Sequence, residues 1–181
     1  VVANNVLAHV PDLNDFVEGL ALILKPNGVL TVEFPHCLKL LQETQFDTIY
    51  HEHVFYFSLF VIDKIFAQYG LAIFDVEQLL THGGSLRVYA QRADQMHYQT
   101  DVNVQKILQL EKESGLNTLE SVLNLEDSAI KVRRDLLDFL TYAKREGKKV
   151  VAYSASAKGN TLLNYCGINS DLIDYVVDKN P

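Results

Sequence analysis

Tryptophan is absent from this 181-residue sequence, methionine occurs once, and the only two cysteines, Cys37 and Cys166, stand far apart. Two thiols outside any C-x-x-C pair suggest neither a disulfide framework nor a zinc site, so both are expected as buried, reduced side chains. Positive charge is also short: 16 Lys and Arg face 23 Asp and Glu, a net charge of −7. A phosphate backbone attracts surfaces dense in Lys and Arg, so no nucleic-acid partner is expected. No apolar run approaches the roughly 18 residues of a membrane-spanning helix. The first residues lack the basic flank of a signal peptide, and the expectation is a cytoplasmic chain without a membrane partner. Solenoid repeats and low-complexity tracts are missing too.

What is there is a large apolar fraction, 48%, enough to bury a core. Leu13, Phe16, Val17, Leu20, Ala21 and Leu24 recur at helical spacing behind Asp12, a good N-cap, and Lys25-Pro26-Asn27-Gly28 supplies a turn. The run Val29–Phe34 is nearly continuously apolar and ends at Pro35, which suits a strand covered on both faces in a parallel sheet. A helix over Leu59–Tyr69 is framed by Ser58 and Gly70, and Ala72–Gln78 and Leu86–Gln91 read as a β-hairpin around Gly83-Gly84. From Asp101 to Glu146 charge rises and helical periodicity dominates, predicting two helices. Lys149–Tyr153, an apolar helix through Cys166, and Ile173–Val177 make a strand, helix, strand unit.

This alternation predicts an α/β, Rossmann-like fold in three stretches: 1–95, a helical connector over 96–147, and the start of a second Rossmann-like unit over 148–181. Val1–Asn5 reads as the end of a buried strand with nothing upstream to pair with. Asp178-Lys179-Asn180-Pro181 falls where a strand hands over to a loop, so both ends are expected to be cuts.

Chemistry concentrates in Tyr50-His51-Glu52-His53, four titratable residues between Phe46 and the aromatic run Phe55-Tyr56-Phe57. An extended segment would put Tyr50 and Glu52 on one face and the histidines on the other, whereas a tight turn would gather three of them. The zinc pattern His-Glu-x-x-His needs a histidine where Phe55 stands, so no metal site is expected. Asn4, Asn5 and His9 follow the first strand, and ligands in doubly wound sheets sit beyond the carboxyl ends of strands. His82-Gly83-Gly84-Ser85-Leu86-Arg87 places an imidazole and a guanidinium around a glycine pair, a pocket wall, an anion site or a simple hairpin loop. Ser154, Ser156 and Gly159 have G-x-G-x-x-G spacing with serine at two glycines, which argues against a tightly bound dinucleotide. Lys158 and a helix N-terminus can still attract a nucleotide diphosphate.

Four segments in order, A-N-N-V-L-A-H-V, F-D-T-I-Y-H-E-H-V-F-Y-F-S, H-G-G-S-L-R-V-Y-A and S-A-K-G-N-T-L-L-N-Y-C-G-I, resemble the S-adenosylmethionine-dependent sugar C-methyltransferases, which methylate C-3 of nucleotide-linked keto sugars. The resemblance covers nearly the whole chain. It implies a class I methyltransferase domain, here its second half, followed by a Rossmann-like domain that helps hold the sugar nucleotide. The family's zinc domain and its glycine-rich cofactor loop lie outside this sequence, so the segment alone is expected to be inactive.

By the same resemblance, His53 is the base that removes the proton beside the ketone. Tyr50, Glu52 and His9 fall on active-site positions, Glu52 to grip a sugar hydroxyl or amine and Tyr50 or His9 to polarise the carbonyl. Ala3 and Asn4 are the expected cofactor contacts; Asn5, His82, Arg87, Lys158 and Asn160 are the expected substrate contacts. The family commonly has glycine at Ser154. Two other readings compete: a nucleotide-sugar oxidoreductase using Ser154–Asp178 for a dinucleotide, and a non-catalytic sugar-nucleotide-binding module.

Overall fold

The structure, a computed structural model, describes residues 1–116 and 118–179; Asn180 and Pro181, where the sequence places a final loop, lie outside the described residues. Strand β1 (Val2–Asn4) runs into a 3-10 turn at Leu7–His9 and then helix α1 (Leu13–Ile23). The Asp12 side chain accepts from Asp15 N–H at 3.0 Å and so starts α1 as the sequence predicts. Strand β2 (Leu30–Pro35), the short helix α2 (Cys37–Gln42) and a 3-10 turn at Phe46–Thr48 lead to helix α3 (Leu59–Gln68). Ser58 caps α3 by accepting from Val61 N–H at 3.2 Å, and Gly70 leaves the helix at a φ of +68°, where a side chain would be strained. Strands β3 (Leu71–Leu79) and β4 (Ser85–Arg92) form the hairpin.

The main sheet has the order β1-β2-β4-β3. β1 and β2 are parallel, whereas β4 pairs antiparallel with both β2 and β3. The sheet is therefore mixed rather than parallel throughout. The short connection from β3 to β4 permits only an antiparallel pair, and β4 then inserts beside β2 instead of at the edge. Inside this sheet β2 alternates rather than running continuously apolar: Leu30, Val32 and Phe34 are fully buried on one face, whereas Thr31 and the buried Glu33, held by Arg87 and Thr81, lie on the other. Val17, Leu20, Ile62 and Phe66 bring α1 and α3 onto the same core.

Helix α4 (Val102–Glu113) begins at Asp101, which accepts from Asn103 N–H at 2.8 Å. Val104 and Ile107 join the main core, so α4 packs on the first unit. Helix α5 (Leu119–Arg145) leads to the parallel pair β5 (Val151–Tyr153) and β6 (Tyr175–Val177), linked by helix α6 (Ala157–Cys166). A smaller core of Leu140, Cys166 and Ile168 holds α5 to this unit. The two units meet where the Phe46 ring lies 4.8 Å from that of Tyr165. Among the described residues no helix is long and apolar enough to cross a membrane.

Candidate active site

The carboxyl ends of β1 and β2 open into a cavity of about 290 Å³, near the lower end for small-molecule sites. Four of the six histidines, His9, His36, His53 and His82, line it. Asn5 stands where β1 ends, at a φ of +54° that asparagine tolerates better than most residues, and its N–H donates to Glu33 O at 2.8 Å. That bend turns the chain so that Asn5 and His9 both face the cavity.

Of the two geometries open to the Tyr50–His53 segment, the chain takes the tight turn: His53 N–H donates to Tyr50 O at 3.0 Å. The turn brings the two rings to a centroid distance of 4.5 Å and puts the Tyr50 hydroxyl 3.5 Å from His53 Nε2. His53 Nδ1 lies 2.7 Å from Thr48 O, a pure acceptor, so Nδ1 carries the hydrogen and the neutral ring holds its lone pair on Nε2. His9 is fixed alike, with Nδ1 2.9 Å from Glu52 O, and its ring is 5.0 Å from that of His53. Burial pushes the Tyr50 hydroxyl above the ordinary tyrosine range, and the nearby Glu52 carboxylate adds to the effect. Tyr50 therefore stays a hydrogen-bond donor at neutral pH.

Glu52 and Lys158 also line this cavity, the latter reaching it from α6. Asn160 lies instead in a neighbouring hollow, shared with Tyr50, His51 and Tyr165. Arg87 does not line the cavity. Its Nη2 and Nε sit 2.9 and 3.2 Å from Glu33 Oε2, and Nη1 lies 3.6 Å from Glu77. Burial raises the Glu33 pKa, but hydrogen bonds from Arg87 and Thr81 outweigh it and hold the carboxyl below its usual range. Ala3 is packed in the core, whereas Asn4 is exposed at the end of β1. Ser154 takes a φ of +77°, the conformation that favours glycine, and Ser156 caps α6 through Gly159 N–H at 3.4 Å.

The chain matches two family models. One, described as methyltransferase domain, covers residues 1–76; the other, described as C-methyltransferase C-terminal domain, covers residues 80–181, more than half of the sequence. This chain belongs to the C-methyltransferase family. It is similar to C-methyltransferase NovU of Streptomyces niveus, with 33% identity over 178 residues, 98% of this chain and 42% of that protein. The chain thus spans less than half the length of that curated relative. The two family models meet inside the β3–β4 hairpin, so the cavity draws its Tyr50–His53 turn from the stretch matched by one and Lys158 from that matched by the other.

His36, Cys37, Gln45 and Thr48, none of them among the expected site residues, also line the cavity. Cys37 is half-buried rather than buried, and burial, followed by the nearby Glu111 carboxylate, raises its thiol pKa. His36 had a signal: it follows Pro35 at the carboxyl end of a buried strand, the place where ligands gather in such sheets.

Proposed function

We propose that this chain carries the base and part of the acceptor site of an S-adenosylmethionine-dependent C-methyltransferase acting on a nucleotide-linked keto sugar. The observation that carries this reading is His53, whose Nδ1 is committed to Thr48 O at 2.7 Å while Nε2 remains beside the Tyr50 hydroxyl in the cavity. A carbon next to a ketone becomes nucleophilic only once its proton is removed, and the lone pair on His53 Nε2 is placed to take that proton. The C–H electron pair then moves into the enolate, whose oxygen needs a donor. The neutral Tyr50 hydroxyl, or His9 when its ring is protonated, can supply one.

S-adenosylmethionine, when bound, supplies the electrophilic methyl group. The residues present fit one side of such a group: β1 ends at the cavity, where Asn5 lines the wall and would touch it, whereas Ala3 and Asn4, the expected cofactor contacts, precede it on β1 and do not line the cavity. The aromatic side chains of Phe55, Tyr56 and Phe57 line the same cavity and keep water from the carbanion-like intermediate. Lys158, which lines the same cavity, suits the diphosphate of the sugar nucleotide.

The test is His53→Ala and His53→Asn in the protein at its full natural length. Transfer should fall by about 10²- to 10⁴-fold with sugar-nucleotide affinity retained. In deuterated buffer the same variants should stop exchange of the proton beside the ketone. Unchanged turnover would remove His53 as the base.

A further inference from the structure

His36 lies just beyond β2, in the N-cap position of α2, and only 2% of its surface is exposed. Its backbone is fixed on two sides, by donation to Gly84 O at 3.0 Å and by a bridge to Phe57. Its ring is fixed as well, with Nε2 2.8 Å from Oε1 of Glu111, a residue of α4 that is itself only 3% exposed. The Glu111 carboxylate also accepts the N–H groups of Leu59 at 2.6 Å and Phe60 at 3.0 Å, at the start of α3. A carboxylate only accepts, so the hydrogen between the two side chains belongs to His36 Nε2.

That assignment leaves Nδ1. Among the described residues no protein group pairs with it, and no buried side-chain nitrogen or oxygen there lacks a partner. The atom is therefore not sealed in the core. The cavity that His36 lines is the one that holds His53 and Tyr50.

We infer that His36 contacts the substrate: its ring, oriented by Glu111, turns Nδ1 into the methylation cavity, where it accepts a hydrogen bond from a hydroxyl or amine of the sugar. Glu111 is a positioning residue, and it lies within the stretch matched by the C-terminal family model. The inference rests on the C-methyltransferase reading above and adds to it a group that orients the acceptor rather than one that removes its proton.

A purely architectural His36–Glu111 tie and a substrate contact respond oppositely to two substitutions. In His36→Gln the amide reaches the place of Nε2, so the bond to Glu111 is kept and the cavity-facing acceptor is lost. His36→Asn puts its amide at the place of Nδ1, which keeps the acceptor and loses the tie. Both are assayed at full natural length with S-adenosylmethionine and a panel of nucleoside-diphosphate keto sugars carrying hydrogen, hydroxyl or amine beside the ketone.

The substrate contact predicts that His36→Gln melts close to the wild type but raises KM about tenfold, with a smaller change in kcat. His36→Asn should melt lower yet recover most of the KM. Wild-type kinetics in His36→Gln would overturn the inference.

The wild-type protein gives a readout that does not depend on folding of a variant. With ¹⁵N-labelled histidine, the His36 Nδ1 resonance should move when the same nucleotide sugars are added to saturation, and a stationary resonance overturns the proposal. If His36→Gln behaves as wild type while His53→Ala is inactive, only this inference fails. Full activity in His53→Ala would sink the assignment of the base instead, leaving the resonance of His36 to be judged on its own.

Discussion

Replacing Glu111 by alanine would remove one acceptor from three donors at once: His36 Nε2 at 2.8 Å, Leu59 N–H at 2.6 Å and Phe60 N–H at 3.0 Å. Hydrogen bonds to charged groups contribute about 1.5–3 kcal/mol each. Three such bonds would overstate the loss, because water enters the space left behind and recovers part of it. Removing one partner of a buried pair typically costs about 3–5 kcal/mol, and Glu111, 3% exposed, belongs in that range. In urea, with m near 2 kcal/mol/M, the midpoint should drop by about 2 M with m unchanged.

Glu111→Gln keeps an oxygen for Leu59 and should lose only about 1–2 kcal/mol. Amide exchange at Leu59 and Phe60 should accelerate in the alanine variant before distant amides do. A loss below about 1 kcal/mol for Glu111→Ala, or equal losses for alanine and glutamine, would refute the view that this carboxylate is a shared buried acceptor.

Two further outcomes follow from the geometry. The Glu33 carboxyl titrates below its usual range, so its contribution to stability is fully present above the unfolded pKa of about 4.3 and is lost as the pH falls through the lower folded value. Urea midpoints measured from pH 6 downward should show this slope, and Glu33→Gln should reduce it; an identical slope in the variant would discount the Arg87 and Thr81 contacts. Gly83 has a φ of +81°, and a Cβ there would fall 2.7 Å from Gln45 Nε2, which donates to Gly83 O at 2.7 Å. Gly83→Ala should therefore cost about 1–2 kcal/mol from its backbone conformation alone and displace Gln45 from the cavity wall, lowering the melting temperature; an unchanged melt would show that the loop relaxes freely.

Several elements are legible in the sequence because their signals are local. Asp12, Ser58 and Asp101 cap the helices that follow them, Gly70 ends α3, and Leu30, Val32 and Phe34 at every second position mark β2 as a strand with an apolar face in the core. A cap or a buried strand depends on a few neighbouring residues, so the pattern survives in one dimension. The tight turn at Tyr50 was one of two conformations the same residues allow, and its choice depends on Thr48 O and on His9, 41 positions away from Tyr50. Hydrophobic pattern does not fix the order of strands, so the insertion of β4 between β2 and β3 needed the tertiary structure.

The residue types of the site, its histidines, Tyr50 and the glycine pair, and the family to which they belong were thus set by sequence alone. Which imidazole nitrogen carries its hydrogen, that Arg87 turns to Glu33 rather than to the cavity, and that Glu111 of α4 grips His36 across 75 positions were decided by tertiary packing. A buried polar group takes whichever partner the fold brings within about 3 Å, and nothing along the chain records that distance.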